Sequence, residues 1–210
     1  MKPDKIIQGM NFYNCDCMEF MKGIPDKYYE LAIVDPPYGI GDKFKGGKTG
    51  KMNFNEIVLK EWDTIPNDEY FKELKRISQN QIIWGGNYFN LPPTRCLIIW
   101  DKLISEDFSL AMAELAWTSF DKLIKIFRMA TPKDGNKIHP TQKPVALYEW
   151  LLKNYAKEGD KILDTHGGSM SIAIACHYMG FQLDLCELDK EYFDAGIERV
   201  ENQTRQITLI

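Results

Sequence analysis

The chain has 210 residues, of which 44% are hydrophobic and 27% charged, a composition that excludes disordered, collagen-like and low-complexity proteins. Its formal net charge of −4 argues mildly against a nucleic-acid binder, because such proteins usually present a basic face. Apolar runs fall far short of the ~20 residues that span a membrane, so we expect no membrane partner. Met1–Met10 lacks a signal-peptide pattern and the five cysteines form no CxxC pair. We therefore expect a reduced, cytoplasmic protein with no metal site.

Segments with strand and helix patterns alternate along the chain. The patterns predict a strand at 11–14, a strand at 31–34, a helix at 67–77 and strands at 81–84 and 97–100. Residues 114–119 and 122–129 resemble antiparallel edge strands. A helix at 144–155, a strand at 161–163, a helix at 169–178, a strand at 183–186 and a helix at 190–200 follow. This alternation predicts a single α/β domain over 1–210, with a mostly parallel sheet, an antiparallel edge and helices on both faces.

A strand, a glycine turn and a helix follow one another at 161–171. The turn glycines, Gly167 and Gly168, let the backbone approach a ligand, and a helix start offers unpaired N–H groups. Glu187 ends the next strand, where an acidic side chain can bind both ribose hydroxyls. The GxGxxG spacing of a dinucleotide site is absent, and Asp164 would repel a pyrophosphate but attract a cationic amino group. The segment is compatible with S-adenosylmethionine, and equally with an ordinary turn that contains a packing glycine.

A second motif, Asp35-Pro36-Pro37-Tyr38, directly follows the apolar strand at 31–34. Ligands bind at the carboxyl ends of strands in open α/β sheets. Two prolines remove two N–H donors, which leaves the Asp35 carboxylate and the Pro36 carbonyl as acceptors beside an aromatic ring. This arrangement suits the exocyclic amino group of a base, with Tyr38 stacked on the base. A strand-ending turn with a capping aspartate is the less favoured interpretation.

A third motif, at 138–144, precedes the predicted helix at 144–155, and by itself it indicates a polar turn in which Thr141 caps that helix. Together the three motifs resemble the DNA amino-methyltransferases, which methylate adenine N6 or cytosine N4. The resemblance implies a Rossmann-like methyltransferase fold, in the permuted β-group order because the catalytic motif comes first. It runs from Asn14 to Arg199, and Ile83–Phe89 and Ile99–Lys102 also resemble small members from phages and mobile elements.

The resemblance assigns roles to individual residues. Asp35, Pro36, Pro37 and Tyr38 would be catalytic. The residues implied to bind the cofactor are Asp16, Cys17, Asp35, His139, Thr141, Gln142, Lys143, Asp164, His166, Gly167, Gly168, Ser169 and Glu187. Among these, Asp16 would contact the adenine of the cofactor and Glu187 its ribose. One departure bears on cofactor affinity, because Met170 stands where the family often has the final glycine of Asp-Pro-Phe-x-Gly-Ser-Gly.

The implied chemistry is methyl transfer to the N6 of an adenine. Hydrogen bonds from N6–H to Asp35 and to the Pro36 carbonyl would localise the nitrogen lone pair for in-line attack on the sulfonium methyl. The base must be flipped out of the duplex, and stacking on Tyr38 would offset part of that cost, by about 1–3 kcal/mol. Adenine is favoured because cytosine-N4 members more often begin the motif with serine. Cytosine C5 methylation is disfavoured because the chain has no Pro-Cys nucleophile.

Other functions stay open at this point. The same acceptors and ring would suit cytosine-N4 DNA methylation, RNA adenine methylation or modification of a glutamine side chain, although glutamine-modifying relatives usually begin the motif with asparagine. A methyltransferase fold that serves as a non-catalytic partner subunit is a further alternative. A dinucleotide oxidoreductase is disfavoured by the missing glycine pattern.

The distribution of charge bears on a DNA partner. Residues 40–55 carry Lys43, Lys45, Lys48 and Lys51 against Asp42 alone, a net charge of +3, and residues 122–137 carry +4, which leaves −11 for the rest. Lysine-rich loops are often only solvated surface, but both segments lie where the family places its DNA contacts. We therefore expect a small DNA-recognition portion around 39–62 and 101–137, with the four lysines on phosphates. So short a region predicts a short recognition site, or help from a homodimer partner or a second specificity subunit.

Overall fold

The computed structural model describes residues 1–39, 64–107, 111–131, 138, 139 and 141–205. The strands within these residues are β1 Lys5–Ile7, β2 Met10–Tyr13, β3 Tyr29–Val34, β4 Ser78–Trp84, β5 Leu97–Asp101, β6 Ala113–Thr118, β7 Lys125–Arg128, β8 Lys161–Asp164 and β9 Gln182–Cys186. The helices are α1 Cys17–Lys22, α2 Asp68–Ile77, α3 Val145–Tyr155, α4 Ser171–Met179 and α5 Lys190–Thr204. The strands form one sheet in the order β1-β2-β9-β8-β3-β4-β6-β5-β7.

The centre of the sheet is parallel. Strands β2, β9, β8, β3 and β4 run in one direction, whereas β1 is antiparallel to β2 and β6 is antiparallel to both β4 and β5. The predicted mostly parallel α/β sheet with an antiparallel portion is confirmed. The orientation predicted for 122–129 is wrong, because β7 pairs with β5 in parallel. Both sides of β6 are occupied by β4 and β5, so the following strand can join only at the free edge of β5.

Helices cover both faces of the sheet, as predicted. Buried side chains of α3, α4 and α5 share one apolar core with β3, β4 and β8, while α1 and α2 pack on the opposite face in a second core. Helix α2 shows why the sequence folds this way: Tyr70, Phe71, Leu74 and Ile77 form one buried stripe. The Asn67 side chain accepts a hydrogen bond from the Tyr70 N–H and caps the helix.

Strand β1 and helix α1, near the N-terminus, were not among the predicted elements, whereas β2 corresponds to the strand predicted at 11–14. The hairpin of β1 and β2 turns at Gln8 and Gly9, with φ of 48° and 84°. Helix α1 has only six residues and begins at Asp16, whose side chain accepts hydrogen bonds from the Met18 and Glu19 N–H groups. Its short length hides the helical periodicity that reveals longer helices. None of the helices in the described ranges is long and apolar enough to cross a membrane.

The sheet order determines where the sequence motifs meet. Strands β2, β9, β8 and β3 are consecutive neighbours and parallel, so their carboxyl ends lie along one edge. Asn14, Glu187, Asp164 and Asp35 are at or directly beyond those ends. Ligands of open α/β sheets bind at this edge.

Candidate active site

The acidic motif begins where β3 ends. Pro36 is buried, while Asp35, Pro37 and Tyr38 are partly exposed. The Tyr38 hydroxyl donates a hydrogen bond to Asp35 Oδ1, and the Lys143 ammonium donates to Asp35 Oδ2. Burial, followed by the adjacent Asp35 carboxylate, raises the pKa of Tyr38 above its ordinary value, so its hydroxyl stays a donor. The two oxygens of Asp35 therefore have different partners, one aromatic and one cationic.

Aromatic rings surround the Tyr38 side chain. Its ring stacks on Tyr88, with centroids 5.0 Å apart and planes at 16°, and meets Phe89 edge-on at 6.1 Å. Gly85, directly after β4, leaves room for it, since a Cβ there would lie 2.7 Å from Tyr38 Cζ and closer still to two other ring carbons. The Gly85 φ of 69° also favours glycine. Tyr88 is 46% exposed, so the stacked pair is reachable from solvent, but sequence reasoning assigned Tyr88 no role.

Lys143 lies between two carboxylates. Besides Asp35, its Nζ contacts Glu114 Oε2 on β6 at 3.0 Å, and its side chain is only 2% exposed. Glu114 Oε1 in turn contacts Lys102 Nζ at 2.6 Å. Burial acts to lower the pKa of Lys143, but Asp35 and Glu114 more than compensate, so the pKa is raised. Sequence reasoning missed Glu114, whose only signal is a charged residue within an otherwise apolar strand.

Asp164, at the end of β8, is a buried acid in the glycine turn region. It is 2% exposed, and its Oδ1 accepts the His166 N–H at 3.0 Å. Burial raises the pKa of Asp164 to about 8 and lowers that of His166 to about 4. At neutral pH this turn therefore holds a mostly protonated carboxyl group and an uncharged imidazole.

Glu187, directly after β9, closes the same turn. Its Oε2 accepts the Gly168 N–H at 2.7 Å and its Oε1 accepts the Asp189 N–H at 2.8 Å. Burial raises its pKa. The N–H of Gly167 donates to the Cys186 carbonyl at 2.8 Å, and a Cβ on Gly167 would overlap the Leu185 side chain. The turn thus requires glycine at 167, where the backbone passes against the neighbouring strand.

Residues 139 and 141–143 lie against this turn, although 24 residues separate Lys143 from Gly168 in sequence. The Ser171 hydroxyl donates to the Lys143 carbonyl at 2.7 Å, and a Cβ on Gly168 would be 3.8 Å from the His139 ring. Burial lowers the pKa of His139 to about 4. The remaining members of the segment form a local turn: Thr141 Oγ1 lies 3.1 Å from His139 Nδ1, and the Gln142 N–H donates to the His139 carbonyl at 3.2 Å.

The segment after β2 and helix α5 complete the surroundings of the glycine turn. Asp16 caps α1 and lies within electrostatic reach of His166, while burial raises the pKa of the adjacent Cys17 to about 12. The carbonyl of Ser169 accepts a hydrogen bond from Arg199 on α5 at 2.5 Å. The structure therefore brings together, around the carboxyl ends of four strands, the sequence-predicted residues it describes. Lys43, Lys45, Lys48 and Lys51 lie outside the described residues.

Met170, the departure from the family pattern, occupies a left-handed backbone position with φ of 55° and is fully buried. Its side chain points away from the turn and into the core, where its Sδ would lie 2.7 Å from a Cβ on Gly196 of α5. The larger residue is therefore accommodated by a glycine on the facing helix.

The residues that the structure describes contain no cluster of three or more His, Cys, Asp or Glu side chains able to hold a metal ion. The groups that the structure shows at this edge are acidic acceptors and aromatic rings.

The sequence model of the DNA methylase family, which represents N6 and N4 methyltransferases, matches residues 72–198. This match covers more than half of the chain, so the protein belongs to that family, and the predicted resemblance to DNA amino-methyltransferases is confirmed. A similar curated protein is the type II methyltransferase M.HpaI of Haemophilus parainfluenzae, which is 23% identical over 233 residues, covering 90% of this chain and 73% of that protein.

Solved structures are similar over nearly the whole chain. The M1.HpyAVI–SAM complex is 20% identical, covers 90% of this chain and 99% of its own, and gives a TM-score of 0.58. The PvuII DNA methyltransferase, described as cytosine-N4-specific, is 13% identical, covers 97% of this chain and 94% of its own, and gives a TM-score of 0.64. The predicted Rossmann-like methyltransferase fold is thereby confirmed.

Replacing Asp164 by asparagine should stabilise the ligand-free protein in a pH-dependent way. The pKa of the carboxyl is about 8 in the folded chain and about 3.9 in an unfolded one. Because the folded pKa is raised, its contribution to stability is lost progressively as pH rises from about 4 to about 8. Thermal unfolding should show a Tm gain for Asp164→Asn that is several degrees larger at pH 8 than at pH 5. Equal gains at the two pH values would contradict the buried, protonated carboxyl.

Replacing Met170 by glycine should destabilise the protein. Glycine relieves the left-handed backbone, a gain of roughly 1–2 kcal/mol, but it removes a buried methionine side chain, a loss of about 2–5 kcal/mol. Leu103→Gly is a matched control, since Leu103 has the same φ of 55° but is 60% exposed. Urea unfolding should give a lower free energy of unfolding for Met170→Gly and an equal or higher one for the control. A stabilised Met170→Gly would mean that strain outweighs packing here.

Proposed function

We propose that the protein is a site-specific DNA methyltransferase that transfers a methyl group from S-adenosylmethionine to the N6 of a flipped adenine. The observation that carries this proposal is the position of the Asp35–Tyr38 acceptor and ring beside the glycine turn between Asp164 and Glu187. The two motifs follow neighbouring parallel strands, β3 and β8. A base held by the first and a cofactor held by the second would be in contact.

The turn residues fit the proposed cofactor. When bound, S-adenosylmethionine supplies a methyl group on a positively charged sulfur. Glu187 uses two backbone donors out of about four acceptor directions that a carboxylate offers, which leaves capacity for the ribose hydroxyls. Asp164 supplies a second acid, suited to the cationic amino group. His139 and His166 are uncharged at neutral pH, so they add no positive charge that would repel this amino group. By the same resemblance, Asp16, Thr141, Gln142 and Ser169 would complete this part of the site.

Asp35 and Tyr38 would act on the base. The Tyr38 hydroxyl now donates to Asp35 Oδ1, so an incoming amino group would replace this O–H···O hydrogen bond by an N–H···O hydrogen bond. Acceptance of the amino hydrogens by Asp35 and the Pro36 carbonyl would localise the nitrogen lone pair, and Tyr38 would stack on the base. After transfer the nitrogen loses a proton, which Asp35 Oδ1 or water can receive. The catalytic contribution is mainly positioning and exclusion of water.

The choice of adenine rests on Asp35 at the first position of the motif, a preference implied by the family resemblance. The lysines at 43, 45, 48 and 51 are proposed to contact DNA phosphates, which would make binding salt-dependent.

The decisive experiment incubates the purified chain with unmethylated genomic DNA and labelled S-adenosylmethionine, followed by modified-base sequencing. We expect N6-methyladenine at one short site. Label on cytosine N4, or on RNA in a parallel reaction, would replace the proposal by those alternatives. No transfer by folded wild-type protein would favour a non-catalytic subunit.

Asp35→Ala should reduce methyl transfer by at least 100-fold, because the principal acceptor of the amino group is lost. Asp26→Ala is the control, since this surface carboxylate pairs with Arg76 outside the candidate site and its removal should leave the rate within about twofold of wild type. Rates are measured at saturating cofactor, with unfolding curves to verify the fold. Full activity of a folded Asp35→Ala variant would disprove the proposed role.

Gly85→Ala should impair the base site without affecting the cofactor site. The added Cβ would collide with the Tyr38 ring, so we expect a methylation rate reduced about tenfold or more and an unchanged dissociation constant for S-adenosylmethionine. Gly159→Ala is matched, because Gly159 has a φ of 87° but nothing within 4 Å of its Cβ. The Gly159→Ala variant has the backbone strain without a collision, so it should keep its activity. Equal losses in both variants would assign the effect to strain and not to Tyr38.

A further inference from the structure

Lys143 is a buried cationic side chain in the candidate site, and its ammonium has three partners. Its ammonium contacts Asp35 and Glu114 and lies 5.2 Å from the centroid of the Trp84 ring. The resemblance assigned this residue to the cofactor. In the structure its ammonium is shared by two carboxylates that come from the end of β3 and from β6.

The contacts form a row of alternating charges: Asp35, Lys143, Glu114 and Lys102. Glu114 Oε1 contacts Lys102 and its Oε2 contacts Lys143, so one carboxylate joins two ammonium groups. All four side chains are at most 20% exposed. A buried charge without a partner is strongly unfavourable, so each member restricts the position of the next. The end of this row is the candidate catalytic carboxylate.

The row also orients Asp35. The Lys143 ammonium donates to Asp35 Oδ2. Asp35 Oδ1 accepts from the Tyr38 hydroxyl, and the Tyr38 ring stacks on Tyr88. An ammonium on one oxygen fixes the plane of the carboxylate, which leaves the other oxygen as the acceptor on the aromatic side. Rotation of Asp35 about its side-chain bonds would break this contact.

We propose that Lys143 is a positioning residue for methyl transfer, which holds Asp35 with Oδ1 toward the base, and that Glu114 anchors Lys143. This inference rests on the proposed function and deepens it. Lys143 acts through Asp35 and does not bind the carboxylate of the cofactor.

The first test compares Lys143→Met with Lys143→Arg in the full-length chain. Lys143→Met should lower the single-turnover methylation rate at saturating S-adenosylmethionine by at least 100-fold, while its dissociation constant for S-adenosylmethionine, measured by calorimetry without DNA, changes less than threefold. Lys143→Arg should recover at least tenfold of the lost rate. Lys161→Met, a surface lysine beside Tyr28, is the matched control and should behave as wild type. A cofactor dissociation constant raised tenfold or more in Lys143→Met would overturn the inference.

Glu114→Gln provides the test that does not depend on the folding of Lys143→Met. It should lower the rate three- to tenfold with unchanged cofactor affinity, and no change in rate would contradict the anchoring role. The double variant Lys143→Met/Glu114→Gln should have no higher rate than Lys143→Met, because both variants lack the ammonium that contacts Asp35. Recovery of both Tm and rate would show that the ion pair serves folding only.

The reaction of the wild-type protein distinguishes failure of the role proposed for Lys143 from failure of the proposed function. Transfer to adenine by wild type and by a folded Lys143→Met variant at equal rates would overturn the inference alone. Absence of transfer by folded wild type would overturn the proposed function, and the inference with it.

Discussion

The ion pair between Asp35 and Lys143 is the contact on which the site depends, because it joins segments 108 residues apart. From Lys143 the connections continue: its carbonyl accepts the Ser171 hydroxyl at 2.7 Å, and Arg199 donates to the same hydroxyl at 3.0 Å. The end of β3, the segment before α3, the start of α4 and helix α5 are thereby linked through one ammonium group and one hydroxyl. The base side and the cofactor side of the site are therefore not independent, although separate strands carry them.

Burial divides the electrostatics of the site into two halves. Around the glycine turn, burial raises the pKa of Asp164 and Glu187 and lowers that of His139 and His166, so burial in this half favours the uncharged forms of these side chains. A positive ligand can supply the charge that ionises those acids. Around Asp35 the protein supplies the positive charge itself, from Lys143. The buried acids around the glycine turn therefore depend on a ligand for positive charge, whereas Asp35 is paired with a lysine of the protein itself.

Much of this arrangement could be predicted from local sequence. Apolar runs that end in Asp35, Asp164 and Glu187 identify parallel strands, and the shared edge of such strands follows from the βα alternation. The contacts of Glu114 could not be predicted, because they depend on β6 inserting between β4 and β5, a pairing that no local pattern encodes. The parallel direction of β7 has the same cause. The six-residue helix α1 was not predicted because it is shorter than the window in which helical periodicity is visible.

The packing of Met170 over Gly196 has a consequence for how related sequences are compared. The two positions share one volume, so a side chain at 196 would require the Met170 side chain to shift. A relative with glycine at 170 has space for a methyl group or more at 196, and neither substitution can be judged alone. Across the family, these two positions should covary in size, and a motif search that reads the turn without the helix would reject chains that fold the same turn.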